Sequence, residues 1–259
     1  MTTSLVEIRS RRDFCVALAC CLVALRGNAQ QQTSPRVLAF YSADVERDHV
    51  MFAEQAVKFF AANAKARGFQ FASTTSWDDL NEAKLKGVRL VMWLNDSPHT
   101  AAQRAAFESY MEHGGGWMGF HAAGYNDEST GWPWYVKFLG GTVFYGNNWP
   151  PLPAMLDVDD GAHAVTRRLP AQFRSPANEW YIWKPSPREN HDVKVLVTLA
   201  PSNYPIGLKD TIEGGDVPVV WTNTKYRMIY MNMGHGDKIF DGAEQNRLFE
   251  DAVEWLIRG

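Results

Sequence analysis

The first half of the chain alternates short apolar runs with longer segments of mixed polarity. The runs are continuous, which is typical of strands that are buried on both faces of a parallel sheet. They predict four strands, at residues 37–42, 69–73, 88–94 and 117–120. Comparable runs return in the second half and predict three more, at residues 193–199, 217–221 and 227–233.

Helical periodicity fills the gaps between these runs. Apolar residues recur at helical spacing across 50–64 and 102–110, and a closing helix is predicted at 244–257. We expect Asp48 to cap the first helix and Ser97 to begin the second. This alternation predicts an α/β fold with a doubly wound, mostly parallel sheet that is flanked by helices.

The N-terminal residues follow a different pattern. Three arginines precede an apolar run at residues 14–25, and a small-x-small sequence ends at Ala29. This order predicts an export signal over residues 1–29, and its arginine pair resembles a twin-arginine signal. The run has 12 residues, whereas a membrane span needs roughly 20. We therefore expect a periplasmic or secreted protein with no membrane span in its mature chain, a flexible leader at 30–35 and a single domain at 36–259.

Composition narrows the possible functions. The 259 residues are 46% hydrophobic and 21% charged, which is the balance of a globular protein. A formal net charge of −3 provides no basic surface for nucleic acid, so no nucleic-acid partner is expected. All three cysteines lie within the predicted signal, and a mature chain would therefore have no disulfide and no thiolate nucleophile.

Histidines follow several predicted strands, at the edge where open parallel sheets bind ligands. His49 follows the first strand, His121 follows the strand at 117–120, and His235 follows the strand at 227–233. The sequence around His121 has the spacing of a strand-to-helix elbow, which exposes a reactive side chain at a strand tip. Imidazole at this position suits a base or a metal ligand.

A second group of candidates surrounds an acidic residue. Residues 132–187 are rich in Trp and Pro and predict an irregular insertion, in which Glu179 stands among aromatic residues. Such a carboxylate can be a base, a ligand or a hydrogen-bonded strut, and the aromatic side chains can stack on sugar rings. The residues predicted to bind substrate are Asn95, Trp134, Tyr135, His163, Trp180 and Tyr181.

Six short motifs resemble the trehalose-utilisation (ThuA-like) family, and the resemblance covers about residues 36–259. The motifs are Asp48-His49, residues 103–108, residues 114–123, Trp132-Pro133-Trp134-Tyr135, Asn178-Glu179-Trp180-Tyr181 and residues 232–236. The family is similar in fold to the class I glutamine amidotransferases, a flavodoxin-like architecture. His121 stands where those enzymes have a cysteine. The chain departs from the family at His163-Ala164, where family members often have His-Pro.

The resemblance implies that His121 and His235 converge, although they lie 114 positions apart. Two imidazoles within reach of each other suit a divalent metal ion such as zinc, and the predicted ligands are His49, His121 and His235. Glu179 is an alternative ligand. The same groups also suit an acid–base pair without metal. No nucleotide cofactor is implied.

The resemblance also implies a function in the catabolism of disaccharides and glycosides through 3-keto intermediates. We expect a small-molecule sugar substrate and a lyase or hydratase that removes the proton at C2 and eliminates the C1 substituent. The predicted catalytic residues are His121, Glu179 and His235. Two alternatives remain: a sugar-binding module without catalysis, and direct glycoside hydrolysis by two carboxylates, for which no convincing pair stands out.

Overall fold

The computed structural model of the chain describes Met1 and residues 34–258. Its strands are β1 (Arg36–Phe40), β2 (Gln70–Thr74), β3 (Val88–Trp93), β4 (Gly116–Phe120), β5 (Val143–Asn147), β6 (Leu152–Val158), β7 (Gln172–Asn178), β8 (Tyr181–Lys184), β9 (Val193–Leu199), β10 (Pro218–Asn223) and β11 (Arg227–Met231). Its α-helices are α1 (Arg47–Arg67), α2 (Glu82–Leu85), α3 (Ala101–Glu112), α4 (Pro133–Phe138) and α5 (Ala243–Arg258). Apart from Met1 and residues 34–35, the predicted export signal (1–29) and leader (30–35) lie outside the described residues.

Nine strands form one sheet in the order β2-β1-β3-β4-β11-β10-β9-β6-β7. The pairings from β2 to β11 are parallel, and those from β11 to β7 are antiparallel. Since each antiparallel pairing reverses direction, seven of the nine strands run the same way and β10 and β6 oppose them. The predicted mostly parallel α/β sheet is confirmed. β5 and β8 form a separate two-stranded antiparallel sheet.

Helices cover both faces of the large sheet. On one face, Phe52 of α1 and Phe249 of α5 share a buried core with Met118 of β4. On the other face, Phe107 of α3 packs in a second core with Trp117 of β4. Successive residues of a strand point to opposite faces, so these two cores sandwich the sheet as a doubly wound fold requires.

Two helix starts differ from the sequence prediction. α1 follows Glu46, and Asp48 lies inside its first turn, where a carboxylate favours the positive end of the helix dipole without capping it. α3 begins after Thr100, which forms a capping box with Gln103. Because that box satisfies backbone N–H groups of the first turn, the helix starts there and Ser97 stays in the preceding loop.

The Trp- and Pro-rich segment 132–187 contains more regular structure than the sequence pattern indicated. It holds α4 and the strands β5 to β8. Glu179 occupies the turn between β7 and β8, which brings it to the large sheet. Among the described residues, no helix has both the length and the apolar character that crossing a membrane requires.

Candidate functional site

Three histidines meet at the carboxyl edge of the parallel strands. His121 directly follows β4, His235 comes after β11, and His49 lies in the first turn of α1. The ring centroids of His49 and His121 are 5.1 Å apart, and those of His49 and His235 are 5.0 Å apart. The distance between the rings of His121 and His235 is 5.6 Å. The structure thus brings together the three side chains that the sequence analysis grouped, and their chemical roles stay predictions.

The backbone at His121 has the geometry of a sharp elbow. Its φ is 43°, and Asp210 is the other non-glycine described residue with a positive φ. The Tyr230 hydroxyl donates to the carbonyl of His121 at 3.0 Å. Gly234 gives this turn room, since a Cβ added there would lie 2.5 Å from the Cβ of His121. Backbone held in this region clusters at functional sites.

A backbone hydrogen bond fixes the proton on the His121 ring. Nδ1 lies 2.8 Å from the carbonyl oxygen of Asn232. A carbonyl can only accept, so we assign the proton to Nδ1. Nε2 therefore directs a lone pair toward Oε2 of Glu179, 3.3 Å away. A lone pair and a carboxyl oxygen at this distance require a proton or a cation between them.

Burial keeps the imidazoles of the site neutral. It lowers the pKa of His121 well below its usual value, and the neighbouring charge of His235 adds to this effect, against the hydrogen bond to Asn232. Burial also lowers the pKa of His49 to about 3, with contributions from His121 and His235. Both imidazoles are therefore uncharged at neutral pH, and each has one unprotonated nitrogen.

The pKa of Glu179 shifts in the opposite direction. Burial raises the pKa of its carboxyl group; the nearby His235 lowers this pKa and the carboxylate of Asp210 raises it. The Asn147 side chain donates a short hydrogen bond to Oε1 of Glu179. A raised pKa on Glu179 and a lowered pKa on His121 both favour a neutral pair. In that pair the Glu179 carboxyl holds the proton and donates it to Nε2.

Glu46 is a residue of the site that the sequence analysis missed. Its Oε2 lies 3.3 Å from Nδ1 of His49 and 3.4 Å from Nε2 of His235. Asp48 approaches from the same turn, with 3.8 Å between its Oδ2 and Nδ1 of His235. Glu46 stands three residues before His49, a spacing that places two side chains on one helix face. That spacing is the signal that could have identified it.

Two overlapping sets of side chains could hold a metal ion. One set is Glu46, His49 and His235, and the other is His49, His121 and Glu179. Within each set the ligand atoms lie within 4.8 Å of one another. Two ligands each about 2.1 Å from one zinc ion are at most about 4.2 Å apart, so a small contraction would suffice.

Two ring nitrogens of the site lack a partner. Nε2 of His49 and Nδ1 of His235 are buried and have no hydrogen-bond partner within the part of the chain that the structure describes. Oε2 of Glu46 faces the other nitrogen of each ring. Each of the two sets combines His49 with a carboxylate. The predicted combination of His49, His121 and His235 is not among the sets found in the described residues.

Asn178 and Asn232 are buried asparagines that hold the loops carrying His121 and His235. Oδ1 of Asn178 accepts the backbone N–H groups of Gly234 and His235, at 3.0 and 3.1 Å. Its Nδ2 donates to the carbonyl of Asn232 at 3.2 Å, the same carbonyl that accepts from His121. The sequence motifs contain both asparagines, but nothing in their spacing indicates this scaffolding role.

Two of the predicted substrate-binding residues lie at the site. The ring of Tyr181 packs on that of His121, with 4.0 Å between centroids. Asn95 is buried and donates to the carbonyls of Ser42 and His49, at 2.9 and 3.3 Å. Asn95 therefore ties the end of β1 to the start of α1, which positions His49.

Tyr135 and Trp180 are buried beside the site without entering it. The Tyr135 hydroxyl donates to the carbonyl of Ala123 at 2.6 Å, which supports the turn after His121. Trp180 is fully buried, and its Nε1 donates to the carbonyl of Leu152 at 2.9 Å. Both side chains pack in the interior and expose no ring face to a sugar.

Trp134 and His163 pack elsewhere. Trp134 stacks on Phe138, with 5.1 Å between centroids, and its Nε1 faces Glu112. The His163 ring lies 5.2 Å from that of Trp255 in α5. Among the described residues, neither contacts the histidine cluster, so the structure does not bring these two predicted residues to the site.

The chain is similar to one protein family and to several solved structures. The model of the ThuA family, described as trehalose utilisation, matches residues 36–256. A ThuA-like protein from Bacteroides uniformis is 52% identical with a TM-score of 0.85, over 89% of this chain and 94% of that one. A ThuA-like protein from Parabacteroides merdae is 17% identical with a TM-score of 0.65, over 87% and 91% of the two chains.

More distant structures show the fold alone. A β-galactosidase from Rahnella sp. R3 is 12% identical with a TM-score of 0.55. The match covers 92% of this chain and 33% of the enzyme. No curated protein sequence matches the chain.

Proposed function

This chain belongs to the ThuA (trehalose utilisation) family, and we propose that its histidine–glutamate site cleaves or hydrates a 3-keto-glycoside. The ketone at C3 acidifies the hydrogen at C2, so a base removes that proton and the electron pair forms an enediolate. The pair then forms a C1–C2 double bond as the C1–oxygen bond breaks. The departing oxygen takes a proton, and addition of water to the double bond completes hydration.

The observation that carries this proposal is the contact of 3.3 Å between Nε2 of His121 and Oε2 of Glu179. In its neutral form this pair presents one base with a fixed lone pair and one carboxyl acid. With substrate bound, we assign the Glu179 proton to the departing C1 oxygen instead of to Nε2 of His121, which leaves the lone pair of Nε2 free to remove the C2 proton. Positioned acids and bases typically contribute about 10² to 10⁴-fold in rate.

The remaining groups of the cluster suit stabilisation of the enediolate. Glu46, His49 and His235 would hold a divalent cation such as zinc, which when bound supplies a Lewis acid for the C3 oxygen. This set leaves His121 and Glu179 free for proton transfer. In a metal-free site, the imidazole of His235 would donate a hydrogen bond to the same oxygen.

Substitution of the acid–base pair tests this assignment. His121→Ala and Glu179→Gln should each lower turnover of a 3-keto-glycoside at least about 10²-fold. His191→Ala is the matched control, because the His191 side chain is 92% exposed and pairs with Asp192, which is not a residue of the cluster. Circular dichroism should show that all three variants remain folded. Near-normal turnover of both site variants would remove the pair from the mechanism.

Isotope exchange tests the chemistry independently of mutation. If removal of the C2 proton is reversible, a reaction run in D₂O and stopped early should leave deuterium at C2 of the recovered substrate. Direct hydrolysis of the glycoside would leave no deuterium there. Tight binding of 3-keto-glycosides without turnover of any of them would favour the sugar-binding module.

We also propose that the chain is exported, which the arginine-rich and apolar sequence of residues 1–29 supports. N-terminal sequencing of protein from the periplasmic or secreted fraction should find a chain that begins near Gln30. An intact Met1 in that fraction would contradict cleavage. Replacing Arg11 and Arg12 by Lys should block export if the twin-arginine route is used.

A further inference from the structure

Exposed large apolar side chains are concentrated around the site. Apart from Met1, those among the described residues are Tyr125, Tyr145, Trp149 and Leu208. Tyr125 follows the turn that begins with His121, and the ring of Trp149 lies 6.4 Å from that of His235. The backbone N–H of Leu208 donates to the carbonyl of Trp149 at 2.8 Å. Apolar surface gathered in this way is typical of a binding site.

A cavity of about 250 Å³ opens next to these residues. It is lined by Tyr145, Gly146, Asn147, Ile182, Asp210 and Thr211. The cavity adjoins Glu179, since the Asn147 side chain donates to Oε1 of that residue. Sites for drug-sized ligands are about 300–1,000 Å³, so this smaller space suits a single ring.

Larger cavities elsewhere carry no comparable chemistry. One of about 550 Å³ is lined in part by Arg67 and Arg168, which already pair with Glu250 and Asp251. Another of about 380 Å³ lies around Tyr110, near the amino ends of β3 and β4. Neither is lined by a residue of the histidine cluster.

The cavity beside Glu179 combines an aromatic ring with a carboxylate. Tyr145 is 62% exposed, and Nζ of Lys184 lies 3.4 Å from its ring centroid, which fixes the ring while leaving surface for a ligand. Asp210 has a φ of 47°, the same uncommon region as His121. Within the described residues the Asp210 carboxylate has no ion-pair or hydrogen-bond partner. An aromatic face and a free carboxylate are complementary to the C–H face and the hydroxyl groups of a sugar ring.

We infer that this cavity binds the group attached to C1 of the substrate, and that this group is a polyhydroxylated ring such as a second sugar. The inference rests on the proposed function, in which Glu179 protonates the departing C1 oxygen. Because the Asn147 side chain contacts Glu179 and also lines the cavity, a group that leaves C1 beside Glu179 is within reach of the cavity. An apolar leaving group would cover the Asp210 carboxylate without providing a hydrogen-bond donor, which is unfavourable.

Kinetics with two substrates test the inference. Tyr145→Ala and Asp210→Asn should each raise KM for a 3-keto-disaccharide about tenfold, as expected for a lost stacking contact or a charged hydrogen bond. Tyr145→Ala should leave KM for the methyl 3-keto-glycoside unchanged, because a methyl group does not reach the cavity. Asp210→Asn also removes a charge that acts on Glu179 with either substrate, so its effect on the cavity is the ratio of its KM changes for the two substrates. Glu213→Gln, an exposed residue of the same loop that does not line the cavity, is the matched control. Equal effects on both substrates would overturn the inference.

Direct binding separates this inference from the proposed function. Calorimetry with trehalose, maltose and methyl glucoside needs no turnover, and the two disaccharides should bind more tightly than the methyl glycoside. Tyr145→Ala and Asp210→Asn should each lower the ratio of disaccharide affinity to methyl glucoside affinity about tenfold. If the wild type shows the preference but turns over no 3-keto-glycoside, the proposed function fails and the sugar cavity stands. If it turns over both 3-keto substrates without any preference, the cavity inference fails alone.

Discussion

The parallel and antiparallel strands supply different members of the proposed acid–base pair. The parallel strands β4 and β11, together with the start of α1, supply His121, His235 and His49 and also the carboxylate of Glu46. The antiparallel strands supply the carboxyl group of Glu179 after β7 and the amide of Asn147 in β5. The His121 side chain is fully buried, whereas that of Glu179 is 13% exposed.

The protonation states of the base, His121, and of the acid, Glu179, are therefore set by different parts of the molecule. The base is held neutral by burial in a rigid, doubly covered sheet, and its proton position is fixed by the carbonyl of Asn232. The acid lies in a turn, where side chains such as Asn147 and Asp210 affect it. Changes among the parallel strands should therefore affect the base and changes among the antiparallel strands the acid, except where a residue joins the two.

Asn178 is that joining residue, and its loss should have the largest effect. It lies at the end of antiparallel β7 and accepts the N–H groups of Gly234 and His235, beyond parallel β11. Asn178→Ala leaves both buried donors without a partner, so the free energy of unfolding should fall by about 3 kcal/mol. Urea denaturation measures this loss. Asn178→Asp keeps the acceptor and should retain more stability; equal losses for both variants would contradict the proposed role of Oδ1.

A substitution within the parallel part should disturb the base alone. A Cβ at position 234 would lie 2.5 Å from the Cβ of His121, and neither atom is the end of a flexible side chain. Gly234→Ala should therefore displace His121 and lower the free energy of unfolding by about 1–3 kcal/mol. Gly161→Ala is the control, since nothing lies within 4 Å of its added Cβ. Unchanged His121 signals in an NMR spectrum of Gly234→Ala would refute the packing argument.

The pH dependence of stability should have opposite signs for the two parts. Below pH 6.5 the unfolded chain protonates His49 and His121, whereas the folded protein keeps them neutral, so acidification destabilises the fold. For His49 this extends from about pH 6.5 down to about 3. Glu179 keeps its proton above its usual pKa only when folded, so its contribution is lost as the pH rises.

Denaturation of the EDTA-treated protein between pH 4.5 and 6.5 measures these contributions. One histidine contributes a slope of up to about 1.4 kcal/mol per pH unit. His49→Gln should make the dependence on pH flatter by up to that amount, and Glu179→Gln should make it steeper. A flatter profile for both variants would show that the two parts do not differ in sign.

The parallel part could be predicted from sequence because its burial leaves a direct pattern. β3 and β4 are covered on both faces, so their residues form continuous apolar runs. β7 is an edge strand whose burial alternates, and it contains Pro176, which argues against a strand in any sequence-based assignment. Its partner β6 likewise has no continuous apolar run that predicts a strand.

The residues of the site also differ in whether the sequence can predict them. The three histidines could be found because each stands near the end of a predicted strand or the start of a helix. Asn147 reaches Glu179 only through the fold, across 32 positions in the chain, and no local pattern indicates it. Aromatic composition predicts Trp134 at the site because it does not distinguish an aromatic residue that packs against its neighbours from one that lines a site. His163 is predicted from a motif of the family that this chain matches only in part, since Ala164 stands where the family often has Pro.

Asn147→Ala should have the smallest effect and should act on the acid. Its side chain donates to Oε1 of Glu179, the carboxyl oxygen that does not face His121. Because Asn147 is half-buried, losing one hydrogen bond should cost about 1 kcal/mol in unfolding free energy. A similar loss of transition-state stabilisation corresponds to roughly a five- to tenfold decrease in kcat. The decrease should be smaller for a 3-keto-glycoside whose leaving group is already acidic, such as a nitrophenol, because that group needs less help from Glu179.

Gly234→Ala acts on removal of the C2 proton and should lower kcat for both substrates alike. Equal sensitivity of Asn147→Ala to the two leaving groups would mean that the antiparallel part does not control the acid.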